Sequence, residues 1–293
     1  MSAVQLFAAC VGIWGTTWIA ITFQLGTVSP EASVLYRYVI ASALLFAFCL
    51  ARGLPLRFPR AGHAWIALQG VLMFSVSYVL VYYAELYVVS GLVAVGYSAS
   101  PLLSMIGMRV FFGAPMRARI GIGSMLGIVG IALVFATEFA HLQADYRVAV
   151  GAALTMAAVI VSTLATLVAH RNHEAGIPLW QNMAWGMFYG ALFTLLIVLA
   201  LGRPLDFPVT PAYVGSLAYL AVFGSILAFA AYLRLLARVG AAPAGYIGVM
   251  IPLVALSISS LFEGYRWSLT AMAGVAVAVA GNVIIPPPPA PRP

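Results

Sequence analysis

PLLSMIGMRVFFG, from Pro101 to Gly113, returns as PLVALSISSLFEG, from Pro252 to Gly264. The register runs on past both stretches. Gly123 and Gly130 match Gly274 and Gly281, so four pairs share a single offset of 151 residues. Weaker matches lie upstream: Pro30 pairs with Pro178 at an offset of 148, and Thr17 with Thr163 at 146. The chain therefore reads as two copies of one unit.

Each copy is built from long apolar runs. Of 293 residues, 64% are apolar and 7% are charged, whereas a soluble domain carries roughly 25% charged residues. Mean hydropathy is +1.06. Too little polar surface is present to cover a water-soluble particle. That excludes a cytosolic enzyme, a nucleic-acid binder and a secreted disulfide scaffold. The net charge of +7 comes from arginine alone and does not signal nucleic acid. Cys10 and Cys49 sit inside apolar runs and read as small buried hydrophobes.

Apolar runs between turn signals number ten, from Val4–Phe23 to Ser268–Ile285. About 20 apolar residues span the ~30 Å core of a bilayer. The expected fold is an all-α membrane protein of ten transmembrane helices. A β-barrel is excluded because the runs are continuous and do not alternate. Five spans per copy is an odd number, so the second copy enters the membrane upside down, the inverted repeat of transporters. The expected units are residues 1–140, residues 141–285 and a Pro-rich tail, 286–293. No basic segment precedes the first run, which reads as a retained helix and not a signal peptide. Ten arginines fall on one set of connectors, from Arg52 to Arg292, against Arg147, Arg203 and Arg266 on the other. By the positive-inside rule both termini face the cytoplasm.

A ten-span, five-plus-five chain with these residues resembles the drug/metabolite transporter superfamily in its EamA-domain branch. The carriers are WGTTW at Trp14–Trp18, PEASVLYR at Pro30–Arg37, SPLLS at Ser100–Ser104 and the glycine series that follows. Within the branch the aromatic content is most similar to bacterial exporters of aromatic amino acids. The resemblance implies a bacterial inner-membrane carrier of small molecules. One departure is plain: the Gly-Glu that usually ends spans four and nine is here Gly113-Ala114 and Gly264-Tyr265.

Polar residues at helical spacing mark the candidate site. Ser75, Tyr78, Tyr82 and Glu85 recur by three, four and three, on one face of span three. A polar stripe avoids lipid, so it lines a cavity or packs on neighbouring helices. Tyr ring and hydroxyl together suit an apolar zwitterion. Trp14 and Thr17 in span one, Tyr97 in span four, Trp185 in span seven and Tyr246 in span nine complete the predicted substrate site. Small hydroxyl residues also join helices without any cargo. Pro101 and Pro252 bend their helices, as fixed kinks or as hinges at equivalent points of the two copies. Arg37 lies inside span two, where a lone charge costs several kcal/mol unless paired. It holds a substrate carboxylate or ties helices together; that the resemblance carries this Arg across varied cargoes favours the tie. The glycines of spans five and ten read as a tight packing face outside the transport path.

All seven acidic residues lie at or near span ends. A proton antiporter needs a deep acid, so a facilitator or exchanger is expected, with Glu31 the one plausible exception. His170, His173 and Glu174 belong to a predicted solvated loop, and no metal or cofactor is expected. The chain has no nucleophile, base and metal constellation of an enzyme. The expected partners are a small-molecule substrate and membrane lipid, with the chain a monomer. Drug-like cations, sugars or nucleosides are the alternative cargoes, and a membrane-embedded enzyme the distant alternative class.

Overall fold

A computed structural model describes residues 1–26, 28–116, 118–141, 146–240, 244 and 247–284. The regular structure among the described residues is all helical, with no strand. Seven helices are long and apolar enough to cross a membrane: α1 (Ala3–Thr22), α2 (Pro30–Ala51), α3 (Arg60–Ala84), α4 (Ser90–Phe112), α6 (Tyr146–Glu174), α7 (Leu179–Ala200) and α8 (Pro211–Val239). Three more helices, α5 (Ala118–His141), α9 (Ile247–Phe262) and α10 (Leu269–Ile284), carry shorter apolar segments. At 1.5 Å per residue, the 16 residues of α9 or α10 reach about 24 Å, short of a 30 Å core.

Local chemistry sets the boundaries. Ser2 caps α1 reciprocally with Gln5: its hydroxyl accepts from the Gln5 N–H, and its own N–H donates to Gln5 Oε1. Ser29 and Thr210 cap α2 and α8, each followed by a proline that starts the helix. Gly113 and Gly264, the paired glycines of the repeat, both adopt positive φ just past the ends of α4 and α9. Only glycine takes that left-handed turn without strain, which explains why both copies carry it.

The two copies show the same packing with roles exchanged. Helix α1 packs on α8 and α9, and α6 packs on the corresponding α3 and α4. α2 lies against α7, α5 against α10 and α4 against α9. Each copy also has one wider, π-type stretch, Leu72–Val76 in α3 and Leu220–Leu227 in α8. Such stretches frequently sit at functional sites. Each presents a serine to the opposite copy: Ser75 Oγ accepts from Thr194 at 2.7 Å, and Ser225 Oγ accepts from Arg37 Nε at 2.8 Å.

α5 and α10 meet through glycine, as their spacing predicts. A Cβ on Gly274 would stand 2.6 Å from the Gly130 carbonyl oxygen. The prolines differ from each other. Pro252 is interior to α9. Pro101 follows a tightened 3₁₀ turn, Tyr97–Ala99, at the start of the second segment of α4, where a missing N–H costs least.

Candidate functional site

Between α1, α3, α4, α6, α8 and α9 lies a cavity of about 860 Å³ of empty space, its mouth included. These are three helices of the first copy and their three counterparts. Among the described residues, α2, α5, α7 and α10 contribute nothing to its lining. Thr17 and Thr163, paired in the sequence, both line it, from α1 and α6.

Aromatic rings form one side. The Trp14 ring meets Phe229 edge-on at 5.0 Å and Tyr232 at 5.3 Å. Trp18 meets Tyr97 edge-on at 5.5 Å. The rings hold each other's orientation through their quadrupoles. Their polar atoms are tied down as well: Trp14 Nε1 donates to the Gly224 carbonyl at 3.1 Å, and the Tyr232 and Thr166 hydroxyls lie 3.2 Å apart. Hydroxyls of Ser77, Ser100, Ser104 and Ser162 are spread over the apolar wall. No carboxylate lines the cavity among the described residues. A largely apolar pocket with a few placed polar groups is the usual form of a small-molecule site.

Four predicted residues line this cavity: Trp14, Thr17, Tyr78 and Tyr97. Tyr82 does not. It is fully buried and its hydroxyl donates to Gln24 Oε1 at 2.8 Å. Four residues along a helix turn the side chain by about 40°, and that carries Tyr82 from the cavity into contact with the turn that follows α1. Trp185 also lies elsewhere. Its Nε1 donates to the Leu56 carbonyl at 2.9 Å, and its ring stacks on Tyr189 and meets His63 edge-on at 4.9 Å. Its helix, α7, is outside the cavity wall, so spacing within the span could not bring it in. Tyr246 is outside the described residues. Of the two proposed hinges, Pro252 and Pro101, neither lines the cavity.

Arg37 is fully buried one layer behind the wall. Its guanidinium lies 4.5 Å over the Tyr78 ring and 5.4 Å from that of Tyr38, and the Ser225 hydroxyl that accepts from Nε donates on to the Leu220 carbonyl. The acids are at span ends as expected, but Glu31 and Glu85 are buried there. Glu31 accepts from the Tyr83 hydroxyl. Glu85, just past α3, has neither carboxyl oxygen hydrogen-bonded. Burial, then the neighbouring Glu263, pushes its carboxyl well above the ordinary carboxylate range. Glu263 accepts from Ser90 N–H and from the Ser90 and Ser259 hydroxyls, joining the start of α4 to the end of α9. Spacing along single spans missed Trp18, Phe229 and Tyr232 of the wall; the three-residue step from Phe229 to Tyr232 is the signal that was available.

A family model described as the EamA-like transporter family matches residues 1–136 and again 149–285. The chain belongs to the EamA-like transporter family. It is thus a multi-pass membrane transporter, and the resemblance read from its motifs holds. Among its relatives, Protein PecM of Dickeya dadantii is 27% identical over 281 residues, 95% of this chain and 90% of that protein. The uncharacterized inner membrane transporter YedA of Escherichia coli K12 is 29% identical over 96% of this chain and 89% of its own. A solved crystal structure at 19% identity aligns over 97% of this chain and 96% of its own with a TM-score of 0.74, which shows a shared fold.

Proposed function

We propose that this EamA-family transporter exports small metabolites across a bacterial inner membrane, with amino acids bearing aromatic or apolar side chains as cargo. All ten helices cross the bilayer, with the two copies inverted over about 1–140 and 141–285 and both termini in the cytoplasm. The copies rock about the shared cavity, giving alternating access, with Pro101 and Pro252 as the bend points. The observation that carries this reading is the cavity itself: a ring-lined pocket with scattered hydroxyls, drawn from equivalent helices of both copies. Flat apolar side chains suit edge-on aromatic walls. The lack of a lining carboxylate among the described residues argues against drug-like cations as the first cargo. Counterflow in proteoliposomes with a panel of amino acids, cations, nucleosides and sugars tests it. Exchange of aromatic amino acids above the rest is expected; preferential exchange of another class would replace the reading.

Transport proceeds down the cargo gradient without an imposed proton gradient. The buried acid Glu85 lies outside the cavity lining, so a bound cargo does not touch it. Vesicles with equal pH on both sides are expected to show full uptake; strict dependence on a pH difference would overturn the facilitator assignment. Orientation follows the arginine bias, ten against three. A reporter active only in the periplasm, fused at the C-terminus, stays silent on this reading, while activity there would invert the topology.

A further inference from the structure

Arg37 keeps a full positive charge in the interior with one hydrogen bond to show for it. Its Nε is committed to Ser225, and neither Nη1 nor Nη2 has a hydrogen-bond partner. The Tyr82 hydroxyl gives its proton to Gln24 and leaves its lone pairs near the guanidinium, whose charge it feels, but neither Nη meets it in full hydrogen-bond geometry. Glu85 feels it too, yet both its oxygens are unbonded as well, so it does not close the fork. A helix-tying arginine spends its donors on carbonyl oxygens; this one leaves its two terminal nitrogens unused. An unpaired buried charge is costly, and the remaining pair, Nη1 and Nη2, is the planar fork that matches a carboxylate.

The fork lies next to the cavity. Tyr78, whose ring covers the guanidinium, lines the cavity on its other side. Thr17, also lining, stands beside the same spot. A Cβ placed on Gly224 would fall 2.9 Å from Thr17 Cγ2 and 3.1 Å from Arg37 Nη2. The bare Cα of Gly224 therefore lets a cavity-lining residue and a guanidinium nitrogen pack against the same point of α8. The π-type stretch of α8 produces this arrangement, since it carries both Gly224 and Ser225. Tyr78 is half-buried and has empty space on its cavity side, so its ring has room to swing.

We infer that Arg37 is the carboxylate anchor of the cavity, reached when Tyr78, which lies between the guanidinium and the cavity, turns aside. This rests on the amino-acid reading above and deepens it: the cargo must carry a carboxylate, and the aromatic wall of Trp14 and Phe229 takes its side chain. Tyr78 serves as a cover that keeps the guanidinium occupied through its ring face when no cargo is bound.

The test is equilibrium binding of labelled phenylalanine to the purified full-length protein in detergent. Its competitors are phenethylamine, which lacks the carboxylate, and 3-phenylpropionate, which lacks the amine. Phenethylamine is expected to compete about tenfold or more less well than phenylalanine, the scale of a lost charge-assisted hydrogen bond, with phenylpropionate the better of the two analogues. Gly224→Ala presses a methyl group against Thr17 and the Arg37 Nη2, and Arg37→Lys removes the fork while keeping a charge. In each, phenylalanine weakens by about tenfold and the preference over phenethylamine collapses toward one. Gly224→Ala guards against misfolding of the Arg37 variant, and thermal unfolding checks both. If phenylalanine binds but phenethylamine competes equally, or if Gly224→Ala lowers both alike, the anchor is overturned while the cargo reading stands. If no amino acid binds and counterflow finds another cargo, the reading falls and takes the anchor with it.

Discussion

Tyr82→Ala is expected to destabilise the protein by about 3 kcal/mol, while Tyr78→Ala, one turn away, leaves the melting temperature near that of the parent and lowers transport. Tyr82 has no exposed surface. Removing its ring leaves a void in a closed interface, a change that costs about 3–5 kcal/mol in a packed core. The lower end applies because separated helices in lipid keep apolar surroundings, so the transfer part of the cost shrinks. The hydroxyl matters as well. Gln24 Oε1 loses the donor it has at 2.8 Å, and Gln24 Nε2 is already without a partner, so the whole amide is stranded. Tyr78 faces empty space on one side, and its truncation enlarges a cavity that exists already. Thermal unfolding in detergent beside transport per folded molecule separates the two. A large fall in melting temperature for Tyr78→Ala with normal transport by the folded fraction would remove it from the site; an unchanged melting temperature for Tyr82→Ala would contradict its place in the packed interface.

The contrast between these two tyrosines shows how far the sequence reaches. Spacings of three and four identify a face of one helix, and they put Ser75, Tyr78, Tyr82 and Glu85 together. Which neighbour covers each turn of that face depends on the other copy. The turn after α1 covers Tyr82 through Gln24, and the cavity takes Tyr78. The end-of-span position of Glu85 was legible, but its burial was not, because Glu263 comes from 178 residues further along. Trp185 failed for a related reason: nothing inside span seven tells that α7 stands outside the wall. What was legible was whatever repeats. The paired glycines Gly113 and Gly264 reappear as matching left-handed turns. The paired threonines Thr17 and Thr163 reappear on facing walls. The π-type stretches left no mark in the hydrophobic pattern, and with them the seat of Arg37 on Ser225 stayed hidden.

Gly274→Val tests the repeat where it is densest. A Cβ at Gly274 would lie 2.6 Å from the Gly130 carbonyl oxygen, 2.9 Å from Val134 Cγ2 and 3.0 Å from Leu133 Cβ. The first of these is backbone and cannot rotate away, so α5 and α10 must separate. The glycine it meets, Gly130, is equally closed, with Ala278 Cβ 2.7 Å from where its own Cβ would be. Overpacking of this kind costs about 1–3 kcal/mol. The upper end is expected here, because small-residue contacts are what hold helices together in lipid. Gly215→Val is the control: it lies in α8, no atom stands within 4 Å of its would-be Cβ, and it is exposed. Both changes add the same β-branched side chain, so helix propensity cancels between them. Gly274→Val is expected to lose much of its yield and melting temperature, with cargo affinity unchanged in the molecules that fold, since no described residue of α5 or α10 lines the cavity. Gly215→Val is expected to melt with the parent. Equal melting temperatures for the two variants would mean that the α5–α10 contact does not hold the fold together. A loss of cargo affinity in folded Gly274→Val would place that helix pair in the transport path.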